Sequence, residues 1–276
     1  MAPRASMALG LALAEQADRT AQWPGIGRRE PGPIRLMVAP DAQAFMRVSG
    51  GRVPSWGVGL AIPGGRAIVI RADAPDPIEA MRHELAHLAL HEVVKVRVPL
   101  WFDEGYAVVA AGEWDRMESL RLNLAVVRGA VGDLATLDAA LRQSEADAAT
   151  AYALAGSAVL LLARSNPTQS LDPLIGKLSG GTGFEEAIGI TTGYTLGTFE
   201  RAWQRDLRSR YGWMVWFAAG GGWAVLGLAV LVLARWRRKR DEPRRAALDS
   251  GWDVTEDEAP ILNETPPPID PERPGD

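Results

Sequence analysis

The segment Pro77–Val94, PIEAMRHELAHLALHEVV, carries apolar residues at helical spacing and contains the pattern His83-Glu84-Leu85-Ala86-His87. Two imidazoles four residues apart lie about 40° apart around a helix axis, so both can reach one tetrahedral metal ion. Glu84 lies about 100° from His83, too far to share the ion but close enough to take a proton from a water bound there. The flanking Leu and Ala predict a mostly buried helix, in which unpaired imidazoles are costly. Because all three His of the chain lie in this segment, it predicts a metal site.

A catalytic metal site needs a third protein ligand and an open position. The segment WFDEG at residues 101–105 offers Glu104, because a short connection ending at Pro99 lets a second helix present its first turn to the metal. Asp103 points about 100° away from Glu104, so we predict that it orients His83 or the second imidazole of the pattern. His91 is disfavoured as a ligand, since it lies about 12 Å along the helix axis from the first imidazole.

The rest of the domain predicts strands followed by helices. The segments before the metal-binding helix are short, rich in β-branched residues and bounded by Pro and Gly, which predicts strands at Pro33–Ala39, Gly57–Ala61 and Ala67–Arg71. Apolar residues then recur at helical spacing in five segments, Pro77–Val94, Leu100–Ala111, Arg116–Arg128, Ala149–Ala163 and Leu196–Ser209. This order predicts an α+β fold with a small N-terminal β-sheet followed by a helical part.

The strand at Gly57–Ala61 has two interpretations. It could be a sheet edge on which an extended peptide adds as an extra strand, because pairing with main chain accepts many sequences. It could equally be an ordinary strand kinked by Gly57 and Gly59.

The segment Trp213–Ala234 contains no charged residue and is long enough to cross a hydrocarbon core of about 30 Å. The five basic residues of the segment 235–240 predict that the C-terminus lies in the cytoplasm and the preceding domain outside it. The remaining tail is acidic and rich in proline, which predicts disorder.

The N-terminus offers one Arg, the apolar stretch Met7–Ala14 and a small-residue cleavage-like site, features of a short or truncated signal peptide. The same stretch could instead begin a helix, and without translocation the protein would be tail-anchored with a cytosolic domain. We therefore predict a possible signal peptide at 1–22, a folded domain at 23–211, a transmembrane helix at 212–235 and a basic flank with a disordered cytoplasmic tail at 236–276.

Composition excludes several classes of protein. The 276 residues include no Cys, which excludes a disulfide scaffold, a cysteine zinc finger and a thiol nucleophile. A formal net charge of −4, with no basic stripe away from the membrane flank, predicts no binding to nucleic acid.

The two motifs together resemble a known family. The pattern H-E-L-x-H, a short loop and then P-x-W-x-x-E-G is similar to the gluzincin branch of zinc metallopeptidases, and within it to bacterial peptidase MA-like domains. The resemblance is specific over residues 78–112 and looser over about 33–211. It implies a zincin-like fold, with Zn²⁺ held by His83, His87 and Glu104 and with Glu84 as general base.

Many gluzincins also supply a His or Tyr to the developing oxyanion. His91 lies on the metal helix itself, so we predict that Tyr152 has this role, in preference to Tyr106, Tyr194 and Tyr211. The resemblance implies a zinc metallopeptidase that acts on peptide or protein substrates. Together with the predicted span Trp213–Ala234, which would bind the lipid bilayer, it predicts a membrane-anchored enzyme. The alternative is a membrane-anchored binding or scaffold protein with a structural or relic zinc site, although such a site has no use for Glu84.

Overall fold

A computed structural model of the chain describes residues 3–19, 21–30, 32–112, 116–129, 131–211 and 222–249. The chain divides into two units, Met1–Ala218 and Ala219–Asp276. The part of the predicted disordered tail beyond residue 249 and the first nine residues of the predicted membrane span, 213–221, lie outside the described residues. Residues 241–249, which were predicted to begin the disordered tail, are helical instead.

The first unit contains a three-stranded sheet that supports the metal-binding helix. Its strands are β3 (Arg35–Ala39), β4 (Gly59–Ile62) and β5 (Ala67–Arg71), in the order β3-β5-β4. Strand β3 runs parallel to β5 and β4 runs antiparallel to it, with Gly59 opposite Ile70. Strand β4 therefore lies at an edge of the sheet. A separate hairpin pairs β1 (Ala21–Trp23) with β2 (Gly27–Arg29).

Ten helices complete the described part of this unit. They are α1 (Pro3–Asp18), α2 (Ala42–Ser49), α3 (Pro77–Val93), α4 (Leu100–Ala111), α5 (Arg116–Val127), α6 (Leu134–Ala140), α7 (Glu145–Ser165), α8 (Asp172–Ser179), α9 (Phe184–Thr192) and α10 (Leu196–Tyr211). The α+β prediction is confirmed, and all three predicted strands and all five predicted helices are found with small shifts at their ends.

Burial on both faces of β5 fixes helix α3 against the sheet. Ile68 and Ile70 point into the main core, whereas Val69 points to the other face and packs with Phe45 of α2. Helix α3 covers the first of these faces and begins at Asp76, whose carboxylate accepts hydrogen bonds from two backbone N–H groups of the first turn. The sheet and this cap hold the HELAH segment in place.

Helix α4 packs against both α3 and α7. It starts after Pro99, and the backbone N–H of Trp101 donates a 2.6 Å hydrogen bond to the carboxylate of Asp138 on α6. The rings of Trp101, Phe102 and Phe199 are buried in the main core. Glu104 is thereby held directly after the first turn of a helix that is fixed on several sides.

The predicted signal segment forms α1 over residues 3–18, and its Leu13 is fully buried in the main core. Among the described helices, α7 is long and apolar enough to cross a membrane by length and composition, which is weak support for membrane association. Helix α7 is mid-chain and contributes ten buried residues to the domain. It was predicted as a helix of the domain and not as the membrane span.

The second unit contains helix α11 (Gly222–Asp249). Its large apolar side chains are between 52% and 76% exposed at Trp223, Val225, Leu226, Leu228, Val230, Leu231, Val232 and Leu233. These residues belong to the C-terminal half of the predicted span Trp213–Ala234.

Candidate metal centre

His83, His87 and Glu104 each offer one ligand atom, and these atoms lie within 4.8 Å of one another. Nε2 of His83 lies 3.3 Å from Oε2 of Glu104, and Nε2 of His87 lies 3.5 Å from the same oxygen. The two histidines lie one turn apart on α3, with ring centroids separated by 4.9 Å. The structure therefore brings together the three residues predicted as ligands.

The donor set fits a tetrahedral ion. Two ligands at about 2.0–2.1 Å from a zinc ion and at the tetrahedral angle lie about 3.4 Å apart. The distances from Glu104 to the two imidazoles, 3.3 and 3.5 Å, agree with this value. Two His and one carboxylate are also the donor set of zinc sites that keep a position open for water.

Asp103 fixes the orientation of His87. Nδ1–H of His87 donates a 2.8 Å hydrogen bond to Oδ1 of Asp103, which leaves Nε2 directed at Glu104. Nε2–H of His91 donates a 2.8 Å hydrogen bond to the other carboxylate oxygen of Asp103. His91 thus contacts Asp103 in the outer part of the centre, and His87, His91 and Asp103 form a second group of potential ligand atoms.

The charges of the centre favour ionised carboxylates. Burial alone raises the pKa of Asp103, but its hydrogen bonds with His87 and His91 outweigh burial and the pKa is lowered. Burial acts on Glu104 in the same way, and the charge and hydrogen bonds of His87 and His83 lower the pKa of Glu104. The site therefore presents negative charge to a cation.

Glu84 lies beside this cluster, under the edge strand. Its side chain accepts a hydrogen bond from the backbone N–H of Ala61 on β4, and it is 8% exposed. Burial raises the pKa of Glu84, although the charges of His87 and His83 oppose the shift. A buried carboxyl group with a raised pKa is a better proton acceptor than an ordinary surface carboxylate.

The cluster opens into a cleft of about 1070 Å³. One wall is formed by the loop before β4 and by β4 itself, the floor by α3, and the other wall by the α6–α7 turn and the start of α7. Tyr152 of α7 lines this cleft, and its ring stands edge-on to His83 with centroids 5.9 Å apart.

The other three tyrosines do not line the cleft. The hydroxyl of Tyr106 donates a 3.0 Å hydrogen bond to the carbonyl oxygen of Pro24, and burial raises the pKa of this phenol. Tyr194 packs against Phe199, and Tyr211 ends α10. Of the chain's four tyrosines, all of which the structure describes, Tyr152 alone lines the cleft.

Two glycines position the centre, Gly59, which the sequence indicated only as a possible kink, and Gly105. Gly59 allows β4 to pass over the side chain of Glu84, where a β-carbon would clash. Gly105 allows α4 to approach α7 so closely that a β-carbon would stand 2.6 Å from the carbonyl carbon of Ala155. The sequence offered a signal for this role of Gly105, which lies inside a predicted helix next to Glu104. A glycine in that position indicates that the main chain of another element approaches closely.

The chain was compared with curated proteins and with models of protein families. No curated protein matches the chain. A family model described as the peptidase MA superfamily matches residues 24–209, more than half of the chain and all of α3 and α4. The match covers the HELAH helix, the helix that carries Glu104 and the sheet beside them, so the chain belongs to the peptidase MA superfamily.

Proposed function

We propose that the chain is a zinc-dependent metallopeptidase of the gluzincin type, anchored in a membrane. The observation that carries the proposal is the convergence of His83, His87 and Glu104 on atoms within 4.8 Å of one another, at the floor of a cleft. Membership of the peptidase MA superfamily supports peptide or protein substrates. These three residues would hold the ion, and Asp103 would orient His87.

A bound zinc ion would polarise the substrate carbonyl and lower the pKa of a water molecule to about 7. Glu84, whose pKa is raised by burial, accepts a proton from the water that attacks the carbonyl carbon. It then returns this proton to the amine of the departing peptide, so that one C–O bond forms as one C–N bond breaks. Glu84 acts first as base and then as acid.

Tyr152 donates a hydrogen bond from its hydroxyl group to the oxygen on which negative charge develops. Its position on the cleft-lining face of α7, beside His83, supports this role. A hydrogen-bond donor aimed at developing charge is worth far more in a partly dry site than in water.

Strand β4 provides a docking edge for an extended substrate. The backbone N–H of Arg71 donates to the carbonyl oxygen of Val58, so by alternation the groups of Gly59 and Ala61 point away from β5. The N–H of Ala61 is directed at Glu84. A peptide that adds at this edge therefore pairs with main-chain groups directly beside the proton acceptor.

The membrane anchor is the segment Trp213–Ala234. In its described half, large apolar side chains from Trp223 to Leu233 are exposed, and a contiguous exposed apolar surface is typical of membrane contact. The basic residues that follow on α11, Arg235 to Arg240, favour the cytoplasm for this end. The domain 23–211 would then lie outside the cytoplasm.

The test uses the full-length protein in detergent. We expect stoichiometric zinc by elemental analysis, and hydrolysis of casein or a quenched peptide library that a chelator abolishes. Glu84→Gln should keep the zinc and lose hydrolysis. Glu92→Gln is the matched control, since Glu92 lies on the same helix but pairs with Arg29 and Arg66 outside the cleft.

Two results would reject the proposal. Hydrolysis at the wild-type rate by Glu84→Gln would remove the general base. Zinc binding without chelator-sensitive cleavage of any substrate would favour the non-catalytic binding or scaffold protein instead.

A further inference from the structure

Trp56 links the two walls of the cleft. Its indole Nε1–H donates a 3.2 Å hydrogen bond to the carbonyl oxygen of Gln143, 87 residues away in the chain. Trp56 belongs to the loop before β4, whereas Gln143 lies in the turn between α6 and α7. Trp56 and the residues just before Gln143, Leu141 and Arg142, all line the cleft. The hydrogen bond therefore joins the strand wall to the helical wall.

Arg71 also fixes the main chain of Trp56. Nη1 of Arg71, at the end of β5, donates to the carbonyl oxygens of Trp56 and Gly57 at 3.4 and 3.1 Å. The guanidinium is held in turn by Asp73, with Nε 2.9 Å from Oδ1, and the Arg71 side chain is only 15% exposed. Contacts at both its carbonyl and its ring thus fix the position of Trp56.

The bridge lies a short distance from the reactive centre. Gly59 stands over Glu84, and Trp56 precedes it by three residues. An extended strand rises about 3.4 Å per residue, so this separation is at most about 10 Å. A chain paired along β4 therefore meets Trp56 within about three residues of Glu84.

The direction of pairing decides which end of the substrate meets the bridge. Antiparallel strand pairs outnumber parallel ones two- to threefold, and β4 already pairs antiparallel with β5 on its other edge. In antiparallel pairing the carboxyl end of the added chain points toward the start of β4. That end is formed by the loop at residues 51–57, which carries Trp56 and whose residues all line the cleft except Ser55.

We propose that Trp56 closes this end of the cleft, so that the enzyme cuts within about three residues of the carboxyl end of its substrate. This inference rests on the peptidase activity proposed above. It makes Trp56 a residue that selects substrates by length.

The test compares full-length wild type with Trp56→Ala and Trp56→Phe. Mass spectrometry of digested, denatured casein should show wild-type cuts close to carboxyl ends and Trp56→Ala cuts at internal bonds. Trp56→Phe keeps a ring but loses the N–H donor, so it should show an intermediate pattern. Ser55→Ala, in the same loop but outside the cleft lining, is the matched control and should behave as wild type.

A binding measurement makes the result independent of hydrolysis. In full-length protein carrying Glu84→Gln, adding Trp56→Ala should tighten binding of a peptide extended by ten residues at its carboxyl end about tenfold or more. Binding of the same peptide extended at its amino end should change less than twofold. Equal internal cleavage by wild type and Trp56→Ala, or unchanged binding of the carboxyl-extended peptide, would overturn the role of Trp56. Absence of cleavage by every protein would reject the peptidase activity, and the binding result would still decide whether Trp56 closes the cleft.

Discussion

Gly59 and Glu84 lie so close that a β-carbon on Gly59 would stand 2.8 Å from Cγ of Glu84. We expect Gly59→Ala to displace the carboxylate and to lower the rate of hydrolysis about 100-fold, because a shift of about 1 Å in a catalytic group has an effect of this size. Zinc content should remain that of wild type. Gly64→Ala is the control, since no atom lies within 4 Å of a β-carbon there. Full activity of Gly59→Ala would contradict the contact with Glu84.

The close packing of α4 on α7 predicts an effect on stability. Gly105→Ala places a methyl group against the main chain of Ala155, which should destabilise the protein by about 1–3 kcal/mol through overpacking. Because Gly105 follows Glu104, zinc affinity should fall as well. Gly176→Ala in α8 meets open space and should stabilise the protein by about 0.5–1 kcal/mol. Chemical denaturation of the two variants measures the difference, and equal stabilities would reject the packing argument.

Asp103 links His87 and His91, and its removal should weaken the metal site. We expect Asp103→Ala to lower zinc affinity about 10–100-fold, the usual cost of losing the partner of a ligating imidazole. His91→Ala should have a smaller effect, because His91 hydrogen-bonds to Asp103 and is not one of the three candidate ligands. Competition with a chromogenic chelator measures both affinities. Asp206→Ala, on α10 and outside the cleft lining, should leave zinc affinity unchanged, and an equal loss there would point to general destabilisation.

Two tyrosines should respond oppositely to loss of the hydroxyl. Tyr152→Phe should lower kcat about 100-fold with little change in stability, as expected for a lost oxyanion donor. Tyr106→Phe removes the hydrogen bond to Pro24 and should lower the free energy of unfolding by about 1 kcal/mol with kcat preserved. Steady-state kinetics and thermal unfolding of both variants separate the roles. Unchanged kcat in Tyr152→Phe would remove this residue from the mechanism.

The predicted anchor is tested by truncation. Full-length protein should remain with the membrane pellet after an alkaline carbonate wash, because about 20 apolar residues suffice to span the bilayer. A protein ending at residue 212 should appear in the supernatant. A truncated protein that still pellets with membranes would place the anchor elsewhere in the chain.

Local pattern was sufficient for the helices that carry the centre. Helix α3 was predicted at 77–94 from its apolar spacing and is found at 77–93. The Asp76 cap and Pro77 at the first position, which the prediction did not use, fix where the helix begins. Some short elements were not predicted, among them the eight-residue helices α2 and α8 and the β1–β2 hairpin, since they contain too few repeats to reveal a period.

The arrangement of side chains around the centre depended on contacts between distant segments. Neither the pairing of Trp56 with Gln143 nor that of His91 with Asp103 follows from spacing along one element. For Gly59, a kink and a close approach have the same local signature, and the side chain of Glu84 distinguishes them. The residue types of the centre therefore follow from the sequence pattern, whereas the positions of their side chains depend on packing between elements.

Asp138 binds the first turn of α4 through the N–H of Trp101. Asp103 lies in that turn and Glu104 follows it directly. A displacement of the turn therefore moves a candidate ligand and the hydrogen-bond partner of His87 together. Substitution of Asp138 on α6 would therefore change how fully the site binds its metal ion, without altering any residue that lines the cleft.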